Sequence, residues 1–120
     1  MTKIQNNNYD LEERTLQFAK EIRLFVKQLS KNLANIEDIK QVVRSSGSIG
    51  ANYIEANESL SKKDFIMRIK ICRKEAKETR FWLRLLNTGG KTDLEKQRNT
   101  LLQESTELMK IFGSILEKSK

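Results

Sequence analysis

Six cations, Lys63, Lys70, Arg73, Lys77, Arg80 and Arg84, recur at intervals of seven, three, four, three and four residues. On a helix that spacing puts all six on one stripe, and the chemistry such a stripe offers is the binding of phosphate or another polyanion. Between Ser61 and Leu86 there are nine Lys or Arg against Asp64, Glu75 and Glu78, a net of +6 out of +7 for the whole chain. A run of charge on a helix is ordinarily a solvated face. Here, however, like charges at i, i+3 and i+4 repel. The row is therefore expected to meet either an outside anion or carboxylates from another helix, that of an adjacent subunit included. Contacts of this kind go to the backbone and read no base sequence.

Other chemistry is thinly supplied. The chain has no histidine, which removes the commonest general base and metal ligand. Glu55, Glu75 and Glu78 lack the i, i+3 histidine that di-metal helical bundles use. Cys72 falls at a core position, where a buried, inert thiol is expected. Gly89-Gly90 reads as a turn that stops a helix and not as a phosphate loop. No catalytic residue, metal or cofactor is expected, and the chain is read as a non-enzyme.

The elements that must hold the stripe follow from periodicity. With no proline and five glycines in 120 residues, nothing interrupts long helices. Helices are expected over residues 11–29, 36–57, 62–87 and 93–117, with residues 1–9 a flexible tail and 10–120 one domain. Capping boxes are expected at Asp10 with Glu13, Ser61 with Asp64, and Thr92 with Glu95, and a helix start after Asn35. The weak point is Ser45-Ser46-Gly47-Ser48-Ile49-Gly50-Ala51-Asn52 in helix two, where each glycine costs about 1 kcal/mol relative to alanine. The apolar period continues through it, so it is kept helical. Short connections make consecutive helices antiparallel, giving an all-α, up-down-up-down four-helix bundle.

Two further groups stand out. Ser48, Asn52 and Glu55 lie in a polar row on helix two, and Asn52 and Glu55 are expected to accept from helix-three arginines such as Arg73, within or between subunits. Ile71, Trp82 and Leu85 lie opposite the basic stripe, outside what one core needs, and are expected at an oligomer interface, although Trp82 fits the bundle edge equally well. The single cysteine and the lack of a signal-type or roughly 20-residue apolar run point to a cytoplasmic protein without a membrane span.

The segment from Arg44 to Asn52, followed by Glu55, Phe65 and Lys74-Glu75-Ala76-Lys77-Glu78, and preceded by Tyr9-Asp10-Leu11-Glu12-Glu13-Arg14-Thr15, resembles the four helix bundle proteins encoded in intervening sequences of bacterial 23S ribosomal RNA genes. That family includes the accessory variability determinant of diversity-generating retroelements. The resemblance covers the chain from Tyr9 onward. It implies a barrel-like homopentamer with a basic surface for RNA or DNA and, for the retroelement branch, a reverse transcriptase as partner. The chain departs from the common pattern at Ala56, where many members have Gly, and at Arg73-Lys74, where many have Gly-Ser. These departures bear on the ligand rather than the fold. Two functional readings stand at this stage: a nucleic-acid-binding protein acting through the stripe, or a structural or adaptor assembly, or reverse-transcriptase accessory, that does not itself bind nucleic acid.

Overall fold

The computed structural model describes residues 3–120, with side chains from Leu11 onward. Four helices follow one another: α1 Lys3–Val26, α2 Leu33–Asn57, α3 Lys62–Leu85 and α4 Thr92–Lys118. No strand occurs among the described residues. Each helix packs on its neighbours in sequence and α1 also touches α4, while the diagonal pair α2 and α4 meets only through side chains in the core. That is the arrangement of an up-down-up-down bundle. The α2–α3 and α3–α4 contacts are the most extensive and the α1–α4 seam the loosest, so α3 is firmly held from both sides.

The core is built from the apolar stripes, including Phe18, Ile22 and Phe25 of α1, Val42, Ile49 and Tyr53 of α2, Ile69, Cys72 and Leu83 of α3, and Leu101, Leu108 and Phe112 of α4. Tyr53 and Phe112 meet with ring centroids 5.9 Å apart. Burial of Cys72 pushes its thiol up to about 12, so the side chain is a neutral core group.

Helix α2 runs unbroken through its serines and glycines because they serve packing. Ser45 and Ser46 are buried, and the Ser45 hydroxyl lies 2.7 Å from that of Thr79 across the α2–α3 contact. A Cβ on Gly50 would stand 2.8 Å from Thr15 Oγ1, so the α1–α2 approach at this level excludes any side chain. The low propensity of the segment is offset by tertiary contact, which routinely overrides it.

The helix ends differ from the sequence expectation in several places. Helix α1 extends back to Lys3 along the backbone. Residues 1–2 and the side chains before Leu11, the expected Asp10 capping carboxylate among them, lie outside those described. It ends at Val26, and Leu29 stays buried beyond it. Helix α2 begins two residues before Asn35, because Asn32 is the cap that accepts from Asn35 N at 2.9 Å. Asn35 is instead a buried tie: its Nδ2 donates to Ser30 O and Asn87 O, and its Oδ1 accepts from Asn87 N. This joins the α1–α2 and α3–α4 connections. Helix α2 ends at Asn57, as expected, and passes into Glu58 at φ −96°. Ser61 does cap α3, accepting from Asp64 N. At α4 the cap is Lys91 with no side-chain bond, and Thr92 does not close a box. Glu95 turns away to accept from the Thr88 hydroxyl and from Arg98. Arg98 in turn donates to Leu86 O at the end of α3, where a cation suits the free carbonyls. Gly89 and Gly90 adopt φ of +70° and +74°, the left-handed turn that glycine tolerates.

Candidate functional site

Helix α3 separates its charges by flank. Its inner face buries Ile69, Cys72, Ala76, Thr79 and Leu83. Toward α2 stand Arg68, Glu75 and Glu78: Arg68 Nη1 donates to Asn52 Oδ1 at 2.9 Å, and Arg44 of α2 grips Glu75 at 3.2 Å and Glu78 at 2.7 Å. The hydrogen bond with Glu75 is the main reason the Arg44 guanidinium is held more firmly protonated than usual. Toward α4 stand Arg73 and Arg80. Arg80 Nε donates to Thr106 Oγ1 at 3.1 Å, and Arg73 Nε lies 3.8 Å from where a Cβ on Gly113 would be.

This partition places the six stripe residues together on the α4 flank and outer surface. Lys63, Lys70, Arg73, Lys77 and Arg84 are exposed and Arg80 is half-buried. Among the described residues none of the six lies within ion-pair distance of a carboxylate. Of the carboxylates that share their helix, Glu75 and Glu78 pair with Arg44, and Asp64 lies in the first turn, after the Ser61 cap. Four successive like-charge pairs, from Lys70–Arg73 to Arg80–Arg84, then cost about 1–2 kcal/mol at 0.2–0.5 kcal/mol each. The stripe runs on the order of 30 Å from Lys63 to Arg84 at 1.5 Å per residue.

The expected polar network forms in part. Asn52 Nδ2 donates to Ser48 O at 2.9 Å and reaches Ser48 Oγ at 3.3 Å, and its Oδ1 takes Arg68. Within the protomer the arginine on Asn52 is Arg68 and not Arg73, because Arg73 belongs to the α4 flank. Glu55 is exposed, with no side-chain bond among the described residues. Of the three apolar flank residues, Leu85 is 50% exposed, while Ile71 is half-buried and Trp82 packs on the core edge with Nε1 3.4 Å from Glu78 Oε1.

Sequence reasoning missed Arg44, the residue that segregates the stripe. The signal was available in principle: α2 and α3 are antiparallel, and a lone arginine at the edge of a serine- and glycine-rich stretch faces the i, i+3 pair Glu75 and Glu78. It also missed Arg14, which binds Glu104 at 2.7 Å and Glu107 at 2.9 Å across the α1–α4 seam. The Glu104 bond is the leading reason that the Arg14 guanidinium is held more firmly protonated. Along the same face, a shallow cleft of about 270 Å³ lies between Glu21, Leu24, Phe25, Gln97, Thr100 and Leu101. Among the described residues no helix is long and apolar enough to cross a membrane.

No curated protein matches the chain. A solved structure does: a protein of unknown function from the S23 ribosomal protein family of Bacteroides thetaiotaomicron is 34% identical, with a TM-score of 0.78 over 92% of this chain and 97% of that one. The family model described as 23S rRNA-intervening sequence protein matches residues 7–114, taking in all of α2 and α3, most of α1 and α4, and the whole cationic row. On that match and that structural likeness, the chain belongs to the 23S rRNA-intervening sequence protein family.

Proposed function

We propose that the protein is a non-catalytic, cytoplasmic, nucleic-acid-binding assembly that holds RNA or DNA backbone along the α4 flank of α3. The observation that carries this reading is the segregation of charge. Lys63, Lys70, Arg73, Lys77, Arg80 and Arg84 have no ion-pair partner among the described residues, whereas Glu75 and Glu78 of the same helix are drawn to the opposite flank by Arg44. A row that repels itself is stabilised when phosphates dock against it, the counterions condensed on the nucleic acid being released to solvent. Copies of the chain assemble in the same reading, as a homopentamer by family resemblance, with Ile71, Trp82 and above all the exposed Leu85 on the joining side. In the retroelement branch a reverse transcriptase would be the further partner.

The test is a triple charge reversal, Lys70→Glu, Lys77→Glu and Arg84→Glu, measured for binding to a structured RNA and a DNA duplex and for native mass. Loss of binding with an unchanged assembly supports the reading. An assembly that falls apart would instead make the row a contact between subunits. Retained binding would remove the row from the interface altogether.

A further inference from the structure

The cationic row contains one aromatic ring that the bundle does not bury. Phe81 is 54% exposed on α3. It stands four residues after Lys77 and three before Arg84, the two spacings that make helix residues immediate neighbours on one face. Its ring meets Trp82 edge-on, with centroids 5.1 Å apart at 76°. Trp82 is itself anchored on the core edge and within reach of Glu78. The ring is thus braced from beside and, in the protomer, open to solvent, at the edge of the row between the exposed Lys77 and Arg84 on one side and Glu78 and Leu85 on the other.

A row of cations alone suits any phosphate backbone. An exposed ring set within it adds nothing to duplex binding, because bases stacked inside a duplex present no free face. It adds a great deal to binding of unpaired nucleotides, where aromatic stacking and flanking cations form the usual sequence-tolerant platform. We propose, resting on the phosphate-binding reading above, that the α3 surface takes single-stranded nucleic acid, with Phe81 stacking on an unpaired base while Lys77 and Arg84 hold the phosphates on either side.

The experiment compares wild type, Phe81→Leu and Phe81→Tyr by anisotropy with a labelled mixed-sequence RNA strand of about 12 nucleotides, within the span such platforms cover, and with the same sequence as a duplex. Trp82, the chain's only tryptophan, reports from next to the ring. Wild type is expected to prefer the strand, with Trp82 emission changing on saturation. Phe81→Leu, which keeps the apolar bulk, is expected to lose about ten-fold for the strand while duplex affinity and native mass hold, and Phe81→Tyr to retain strand binding. Equal strand affinity for wild type and Phe81→Leu, a preference for duplex, a silent Trp82, weak strand binding by Phe81→Tyr, or a changed native mass in Phe81→Leu would each overturn the stacking role and leave phosphate binding standing. Wild type that binds neither probe would overturn both.

Discussion

Gly47 and Gly50 sit three residues apart in α2, and the same substitution at each is expected to act with opposite sign. Replacing a helical glycine by alanine gains about 0.8–1 kcal/mol in propensity. At Gly47 the new methyl meets only Arg23 Nη2, at 3.5 Å, an ordinary contact with the end of a flexible side chain, so the gain survives. At Gly50 it meets Thr15 Oγ1 at 2.8 Å and Thr15 Cβ at 3.3 Å. Thr15 is buried, and its hydroxyl donates to Leu11 O or Glu12 O within α1, so it cannot swing aside. The helices must part, at an overpacking cost of about 2–3 kcal/mol, leaving Gly50→Ala net destabilising by about 1–2 kcal/mol. A chain of this length unfolds with an entropy near 0.25 kcal/mol/K, so 1 kcal/mol shifts the midpoint by about 4 °C. Calorimetry should find Gly47→Ala about 3–4 °C higher than wild type and Gly50→Ala about 4–8 °C lower. In a Thr15→Ala background, which removes the nearest atom, most of the Gly50→Ala penalty should vanish. Two shifts of the same sign, or no coupling to Thr15, would refute the close α1–α2 approach.

Three other outcomes follow from side chains already described. Asn35→Leu removes the amide that bridges Ser30 and Asn87 and strands the Asn87 N–H; a loss of about 2–4 kcal/mol should lower the urea midpoint. Cys72, held protonated by burial, should resist a thiol reagent at neutral pH in the folded protein and react once guanidinium unfolds it. Glu95 is held below the usual value of 4.5 by the Thr88 hydroxyl and then by Arg98. Its contribution is present above its unfolded value and is lost as pH falls through the lower folded one. The melting point of wild type should therefore drop on acidification below about pH 4.5, and Glu95→Gln should drop less over the same range.

Much of the bundle could be read from the sequence because its apolar period is strong where it matters. The spacing of Phe65, Ile69, Cys72, Ala76, Thr79 and Leu83 leaves only one face for the core, and Ser61 with Asp64 three residues on marks the start of α3. The sequence reading places the start of α2 after Asn35 instead of at Asn32 because nothing local announces the tie to Asn87 across the bundle, which buries Asn35 and leaves Asn32 as the cap. The composition of the stripe was visible, but its relation to its neighbours was not. Arg68 and Arg73 are equivalent as letters on a helix, and which of them meets Asn52 depends on which flank α2 occupies. Trp82 was similarly open between core edge and outer surface, since a large ring fits both until the position of α2 is known. The clamp by Arg44 on Glu75 and Glu78 is a long-range contact, legible only once α2 and α3 are set side by side as antiparallel neighbours.

The claim on which the account turns is that the row from Lys63 to Arg84 exchanges its counterions for phosphates. The direct measurement is the affinity of wild-type protein for nucleic acid across a salt series. If all six cations engage, log K against log salt should fall with a slope of about −4 for a single strand or about −5 for a duplex. A slope near zero, or no binding at about 50 mM salt where such contacts are strong, would contradict it.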